Sequence, residues 1–584
     1  MTAILIALII LFPWFGAVII WLMKDEQEKL THILAMSFTA FSAVLSLVLL
    51  TRIGQDQISA YSLGIGMGDL AFSADALGII LTCIANCIGC LAVVFSKDYM
   101  NGEKDLQRYY SMILLFIGAM SGLVLTSNAM LIFFFWEITA LCSYQLISFY
   151  NDDPKAVRGG LKALFITQFG GIGLLLGSLL IFSQTGSLDI QHFIAAAQAG
   201  EISSAALAVA GFGLIAAAAA KSSQFPFFTW LPDAMEAPTP VSALIHAATM
   251  VNAGVYLLCR FAPAFQGVAG WNTTVLWVGI ITILLSSVMA IFANDLKRVL
   301  AYSTVSQLGF LFAAIGAGSV TASQFHLLSH AIFKALLFLC AGAVIHSVGT
   351  RDMRLMGNLY KKMKPVAICF IIGACSLAGI PIFNGFWSKE LILEAIHSGA
   401  PLSVYILMLF AVILTAIYSI RCVWMVFFGK EKSELHVHEP GRFMKYSLYV
   451  LAAGTVVSWL TFGGFSNAFS KSLPHHEIEA ESLGKFLSTI IKDPLTYLAI
   501  FMVILGIVLW IFHKPGPSKA VLPKVLETCA VNSFGFEIIN EKIIDKIQNL
   551  SEFSRELQSG ILNWNIFGVL TGLVLILIVL GIGG

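Results

Sequence analysis

The sequence has very little charge. Only 11% of its 584 residues are Asp, Glu, Lys or Arg, whereas 58% are hydrophobic, and the mean hydropathy is +0.87. A soluble domain typically carries about 25% charged residues. This composition therefore excludes a soluble protein and indicates a polytopic membrane protein. The formal net charge is only +1, so there is no excess of basic side chains to bind nucleic acid.

The sequence also lacks motifs for redox cofactors. It has no nucleotide, flavin or iron–sulfur motif, so we expect no cofactor in this chain. Its ten cysteines are mostly scattered singly, but Cys83, Cys87 and Cys90 share one apolar helix. Cys87 and Cys90 have the spacing of a redox pair. A lipid-embedded helix offers no suitable loop for that chemistry, so packing is the preferred interpretation.

Long apolar stretches, in contrast, recur along the whole chain. About 20 apolar residues span a bilayer as an α-helix, and about sixteen stretches meet that length. They lie near 3–23, 30–51, 74–96, 109–126, 128–149, 160–183, 204–224, 240–262, 272–293, 298–317, 322–347, 365–387, 401–428, 443–464, 495–512 and 561–582. The first lacks a basic start and a cleavage site, so we expect a retained helix rather than a signal peptide. The sequence predicts an all-α polytopic membrane protein.

Basic residues alternate between successive loops. The loops after spans three, five, nine, eleven and thirteen contain Lys or Arg, whereas those after spans four, six, eight and ten contain essentially none. Because basic loops stay in the cytoplasm, we expect the odd loops to be cytoplasmic and both termini to lie outside. The loop after span fourteen is an exception, since it carries both lysines and glutamates.

The segment 536–557 has a different pattern. Its apolar residues recur at helical spacing, with charged residues between them. This pattern predicts an amphipathic helix about 33 Å long at 1.5 Å per residue. It is too charged to span, so we expect it to lie along the cytoplasmic face. There it could bind the membrane surface or, as we prefer, clamp this chain's own helices or a neighbour's, before a final span near 561–582.

The seventh span is interrupted beside a lysine. An apolar run ends in Lys221, and four prolines follow at positions 226, 232, 238 and 240. Proline cannot continue a regular helix, and broken backbone at membrane depth survives only inside protein or along a polar cavity. Lys221 is therefore a candidate ion or proton site. The alternative is a kinked structural helix whose Lys221 extends to an interface.

Glu137 lies in the middle of the fifth span, in NAMLIFFFWEITALCSYQLISF. A carboxylate near the bilayer centre costs several kcal/mol, by a rough estimate, unless it is paired or neutralised. Lys221 is the obvious counter-charge. We therefore treat Glu137 and Lys221 as a candidate pair.

The eleventh span carries a polar stripe. His326, His330 and Lys334 are spaced i, i+4, i+8, so they share one face of an otherwise apolar helix. The His-x3-His spacing also suits a metal, but no acidic or cysteine ligand stands nearby and a lysine continues the stripe. Proton relay is the preferred interpretation, with structural hydrogen bonding and a metal site as alternatives.

The twelfth span looks like a second version of the break. Pro381 and Gly385 interrupt it, and Lys389 and Glu390 follow. Two interrupted helices in corresponding places indicate internal repeats with sites at the breaks. Four further ionisable residues are second-rank candidates, because each could simply sit at a helix end in water: Lys162, Asp233, Glu236 and His246.

Several long motifs together resemble one family. WLPDAMEAPTPVSALIHAATMV, DLKRVLAYSTVSQLGF, FHLLSHAIFKALLFLCAGAVIH and FNGFWSKE are similar to the antiporter-like subunits of the complex I superfamily. The resemblance covers roughly residues 70–430. That group includes the largest membrane subunit of NADH–quinone oxidoreductase, the large subunits of Mrp-type antiporters, and counterparts in energy-converting hydrogenases.

The resemblance implies a fold and a set of roles. It implies two inverted five-helix repeats, each with a broken helix, in residues 109–262 and 272–428. The N-terminal helices then occupy 1–108, and 429–584 holds the C-terminal spans. The implied roles are Glu137 and Lys221 as the first pair, Lys334 as the central lysine and Lys389 as the outlet. The connecting histidines are His246, His326 and His330.

Features of two branches are combined in this chain. The complex I branch usually has an Arg-x-x-Asp pair at the start of the sixth span, where this chain has Gln168 and Gly171 in ITQFGG. ITQFGG, AKSSQFPF and GTRD look more like the Mrp large subunit. An end made of an amphipathic helix and one span is similar to the complex I and hydrogenase types.

Three functional hypotheses follow. The leading one is a proton-translocating subunit of a redox-driven complex, in which partner subunits transfer electrons and this chain performs no redox chemistry of its own. The second is a component like the large subunit of a Mrp-type sodium/proton antiporter, without a redox partner. The third is a non-conducting scaffold. Each of the first two implies other membrane subunits as partners, and protons or sodium as the transported ion.

Overall fold

The computed structural model describes residues 2–53, 70–431, 437–512 and 524–557. The regular elements of these ranges are helices, and their β-pairing is confined to isolated bridges. The first half contains α1 (Thr2–Trp21), α2 (Glu28–Leu50), α3 (Ala76–Tyr99), α4 (Leu106–Leu125), α5 (Ala129–Ile147), α6 (Pro154–Thr185), α7 (Ile190–Gln198), α8 (Ser204–Lys221), α9 (Trp230–Asp233), α10 (Thr239–Ala243), α11 (Met250–Phe265) and α12 (Trp271–Phe292).

The second half continues with further helices. They are α13 (Leu296–Gly316), α14 (Val320–Val348), α15 (Leu359–Lys362), α16 (Lys364–Ala378), α17 (Asn384–Gly399), α18 (Leu402–Val423), α19 (Arg442–Val457), α20 (Phe462–Ser472), α21 (Leu483–Lys492), α22 (Pro494–Phe512), α23 (Lys524–Val531) and α24 (Phe536–Leu557). π-Helical turns at Leu244–Ala248 and Trp424–Phe428 adjoin α10 and α18.

Fourteen helices of the described residues are long and apolar enough to cross a membrane. They correspond to the first eleven predicted spans and to spans thirteen to fifteen. The twelfth is shorter because it breaks after α16, as the sequence predicts. The sixteenth predicted span, near 561–582, lies outside the described residues. The prediction of an all-α polytopic membrane protein is confirmed.

The loops form two opposite sets. Odd loops contact one another: Gly102 N donates to Glu28 Oε1 at 3.0 Å, and Arg351 pairs with Asp295 at 2.8 Å. Even loops instead surround one cavity of about 860 Å³, whose lining residues include Gln198, Gln266, Gly318, Gly399 and His475. The predicted alternation of loops between two faces agrees with this arrangement. That the odd face is cytoplasmic stays a prediction.

A buried ion pair ties the third and eighth spans together. Arg260 donates to both carboxylate oxygens of Asp75, at 2.6 and 3.0 Å, and both residues are at most 4% exposed. The Asp75 carboxylate also accepts from Gly78 N and so caps the start of α3. A fork-shaped guanidinium matches a carboxylate at two points, so the pair fixes the relative position of the two helices.

Residues 532–584 form a unit separate from residues 1–531. Its described part contains α24, which coincides with the predicted amphipathic helix 536–557. The apolar side chains Ile539, Ile543, Leu550 and Phe553 are each at least half exposed. Its placement along a membrane face stays a prediction.

Candidate functional site

The first break places Lys221 at the end of a helix. α8 ends at Lys221, and residues 222–229 are irregular before the short helix α9. Lys221 is fully buried, and its Nζ donates to the carbonyl of Trp136 at 2.9 Å and lies 4.7 Å from the Trp136 ring centre. A cation in the last turn of a helix also faces the negative end of the helix dipole. Lys221 is therefore held inside the protein, and it does not extend to an interface.

Glu137 follows Trp136 directly and is half-buried on α5. Its charge interacts with that of Lys221, but the Lys221 amine donates to the Trp136 carbonyl. Glu137 and Lys221 are thus neighbours, but the Lys221 amine donates its hydrogen bond to a backbone carbonyl and not to the Glu137 carboxylate. Gly171 on α6 gives the carboxylate its space, since a Cβ on Gly171 would lie only 2.7 Å from Glu137 Oε1.

His246 lies in the π-helical turn Leu244–Ala248 between α10 and α11. It is fully buried, with its ring centre 6.1 Å from that of Trp230 and 6.4 Å from that of Phe338. Neither ring nitrogen has a hydrogen-bond partner in the described part of the chain. His246 is thus enclosed by aromatic side chains, so it does not sit at a helix end in water.

The predicted stripe on the eleventh span is buried in α14. His326 Nδ1 lies 2.9 Å from Ser388 Oγ and its Nε2 lies 3.1 Å from Gln307 Oε1. The rings of His326 and His330 are 6.5 Å apart between centres. Both nitrogens of His326 are engaged, and no cluster of three His, Cys, Asp or Glu ligands occurs within the described ranges. This geometry favours hydrogen bonding or relay over a metal site.

Lys334 ends the stripe and is fully buried. Its Nζ donates to the Ser303 hydroxyl and, at 3.4 Å, to the Leu300 carbonyl, both on α13. These partners are neutral. The ammonium group is therefore solvated by dipoles of the neighbouring helix, and neither of these hydrogen bonds goes to a carboxylate.

The second break repeats the arrangement of the first. α16 ends at Ala378, Gly379 adopts a φ of 85°, and the chain resumes as α17 at Asn384. Lys389, on α17, is 2% exposed and donates to the Leu377 carbonyl at 2.9 Å, in the last turn of α16. Like Lys221, it places its charge at the carbonyl end of an interrupted helix.

The other second-rank candidates belong to an ion-pair cluster on the odd-loop side. Asp233 accepts from Lys162 at 2.6 Å and from Arg298 at 3.0 Å, and Glu236 accepts from Arg351 at 2.6 Å. Lys162 is only 2% exposed, so the alternative that it sits at a helix end in water is wrong. The cluster joins the segment after the first break to α6 in the first half of the chain, and to α13 and the loop after α14 in the second.

Sequence reasoning missed the neutral partners of the charged groups. Ser303 and Gln307 lie four residues apart on α13, and Ser388 directly precedes Lys389. A signal was present, because Ser303 and Gln307 share one face of an apolar helix. The buried pair of Asp75 and Arg260 was also missed, since the two residues are far apart in the chain.

Comparison with known proteins places this geometry in a family. A family profile described as "NADH:quinone oxidoreductase/Mrp antiporter, TM" matches residues 126–417, half of the chain. A second, described as the N-terminus of chain 5 of NADH-ubiquinone oxidoreductase (complex I), matches residues 66–110. The A1 subunit of the sodium/proton antiporter from Staphylococcus aureus strains RF122 / ET3-1 and JH9 is 40% identical over 424 residues, covering 68% of this chain and 53% of the relative.

Solved structures extend the comparison to the fold. A chain of the Mrp complex from Dietzia sp. superposes with a TM-score of 0.80 at 29% identity, covering 98% of this chain and 63% of that one. A chain of the archaeal membrane-bound sulfane sulfur reductase gives 0.72 at 24% identity, over 83% of this chain and 99% of that one, which shows the fold alone. This chain spans about half the length of its curated relatives. It belongs to the NADH:quinone oxidoreductase/Mrp antiporter family of membrane subunits.

Proposed function

We propose that this chain is a component like the large subunit of a Mrp-type sodium/proton antiporter and that it carries protons. The 40% identity to sodium/proton antiporter subunits supports this assignment. The redox-driven hypothesis has weaker support, because the match to a respiratory complex is 24% identical and concerns the fold. The alternative raised by the sequence is therefore the better one.

The observation that carries this proposal is a set of buried lysines at and between the two helix breaks in the sequence. Lys221, Lys334 and Lys389 are each at most 2% exposed, and their amines donate to carbonyls or a hydroxyl. A carboxylate lies near Lys221 and near Lys389, but the amines of all three lysines donate to neutral acceptors, which hold the proton less firmly than a hydrogen-bonded carboxylate would. Each lysine can therefore pass the proton on, which a structural ion pair cannot do easily.

The residues take successive roles in this proposal. Glu137 and Lys221 load the first half, where the carboxylate modulates the charge beside it. His246 connects Lys221 to the central Lys334, and His330 and His326 connect Lys334 to Lys389. The two halves correspond to residues 109–262 and 272–428. Other antiporter subunits complete the complex in the cytoplasmic membrane, where protons and sodium are exchanged.

The first experiment identifies the partners. The chain is purified in mild detergent from its own host, and co-purifying proteins are determined by mass spectrometry. Small hydrophobic antiporter subunits are expected. Iron–sulfur or hydrogenase subunits in stoichiometric amounts would instead restore the redox-driven hypothesis.

The second experiment tests the proton path. Lys221→Ala and Lys334→Ala are measured in everted vesicles for sodium-dependent collapse of a proton gradient, with assembly checked by purification. Because each lysine is a single point in the path, we expect a loss of exchange of about tenfold or more. Lys104→Ala, on an exposed loop, is the control and should leave exchange unchanged. Full exchange in both buried variants would support the scaffold hypothesis.

A further inference from the structure

A second, smaller cavity lies where α17, α18, α21 and α22 meet. It has a volume of about 10 Å³, which is about the space that one water-sized particle occupies. Its polar lining consists of oxygen-bearing side chains: Glu390, Glu394, Tyr405, Thr489, Asp493 and Thr496. Oxygen ligands of this kind suit a hard cation.

Tyr405 contributes a buried, unsatisfied hydroxyl group to the lining. Tyr405 is 3% exposed, and its hydroxyl has no hydrogen-bond partner in the described ranges. The charges of Glu390 and Asp493 act on this hydroxyl, so it faces the acidic lining. A buried polar group is normally hydrogen-bonded. An orphaned hydroxyl aimed into a polar cavity therefore points to a ligand.

The negative charge of the lining is only partly balanced. Lys389 is next to Glu390, but its amine donates to the Leu377 carbonyl on α16. Asp493 Oδ1 accepts from Leu495 N at 2.9 Å and so caps α22, which leaves Oδ2 for the cavity. No ion pair of the described residues involves Glu394 or Asp493. Glu390 is buried, Asp493 is partly buried and Glu394 is exposed at the rim, so a cation bound here would balance carboxylates that the described ion pairs leave unmatched.

Two other titratable groups lie near residues of the lining. The charge of Glu481, from the loop before α21, acts on Glu394. His397 packs against Tyr405 with ring centres 5.2 Å apart. The titratable groups that line the cavity itself are three carboxylates and a phenol.

Glu394 also connects the small cavity to the wide one on the even-loop side. It lines both, and the wide cavity carries Glu477, Glu479 and Glu481 as well. Acidic walls of an open cavity raise the local concentration of cations. A cation that reaches the wide cavity can therefore approach Glu394 from the aqueous side.

We propose that the small cavity binds a sodium ion. The lining offers hydroxyl and carboxylate oxygens around a space for one small particle, which suits a hard cation such as sodium. This inference rests on the proposed sodium/proton exchange, but binding can be tested without transport.

The test is a sodium titration of the purified complex. Thermal stability is measured as sodium chloride replaces choline chloride at constant ionic strength, for the native protein and for Tyr405→Phe, Glu394→Gln and Asp493→Asn. Stabilisation should saturate with sodium. Each variant removes one oxygen contact to a cation, so we expect the half-saturating sodium concentration to rise about tenfold. Asp493→Asn keeps an acceptor for the α22 cap.

Glu477→Gln is the matched control, because it removes an acid from the wide cavity only. Its half-saturating sodium concentration should stay within about twofold of the native value, since a distant exposed charge is screened. Unchanged titrations in all three cavity variants would overturn the sodium site. If sodium binding follows the prediction but vesicles show no exchange, the proposed function fails and the site stands. If vesicles show exchange but the sodium titrations of the three cavity variants are unchanged, the sodium site fails and the proposed function stands.

Discussion

Gly171→Ala tests whether the position of the Glu137 carboxylate matters for transport. The new methyl group would lie 2.7 Å from Glu137 Oε1, whereas ordinary contacts are about 3.4 Å or longer. The carboxylate must therefore move by about 0.7 Å. Because Oε1 is the far end of a flexible side chain, the fold can accommodate this movement at little cost.

The two effects of the substitution have opposite directions. Replacing a helical glycine by alanine stabilises a helix by about 0.5–1 kcal/mol, so the amount of assembled protein should not fall. A displacement of about 1 Å of a positioned group can cost about 100-fold in rate. For the smaller shift at Glu137, we expect a loss of exchange of about tenfold.

The control comes from the same helix. A Cβ on Gly177 would meet Leu214 at 3.5 Å, an ordinary contact, so Gly177→Ala should change neither assembly nor exchange. Both variants are compared in everted vesicles by the sodium-dependent decay of a proton gradient, normalised to assembled complex. Native exchange in Gly171→Ala would refute the reasoning that the carboxylate position beside Lys221 is important.

Two further substitutions test the buried contacts. Arg260→Leu leaves Asp75 buried without its partner, so the free energy of unfolding should fall by about 3–5 kcal/mol. It is measured by titration with dodecyl sulfate. A smaller loss in the double variant with Asp75→Asn would confirm that the unpaired carboxylate is the cause. Ser303→Ala removes a hydroxyl from Lys334 and should slow exchange about tenfold. Ser286→Ala loses only bonds within its own helix and should not slow exchange. Equal rates in the two serine variants would contradict a role for Ser303.

The spans and breaks could be predicted because they depend on local chemistry. Hydrophobic length sets where a helix can cross a bilayer, and the prolines after Lys221 cannot continue one. The break after Ala378 was found for the same reason at Pro381. The hydrogen-bond partners of these charges were harder to predict. The sequence identified Lys221 and Glu137 as buried charges that need partners, but the acceptor of the Lys221 amine is a backbone carbonyl, which every residue has.

Long-range partners could not be derived from one sequence. Asp75 and Arg260 are separated by 185 positions, and they meet only because the fold brings the start of α3 close to α11. The cavity lined by Tyr405 and Asp493 likewise depends on how four helices meet. Neither residue lies in a span interrupted by proline, so neither was distinguished from an ordinary polar residue near a helix end.

The position of Asp233 constrains how this protein can diverge. One carboxylate accepts from Lys162 in the first half and from Arg298 in the second. If Asp233 alone is replaced by a neutral residue, two cations face each other around a partly buried position. Viable natural sequences should therefore change the three positions together, so an alignment of homologues should show 162, 233 and 298 covarying in sign of charge.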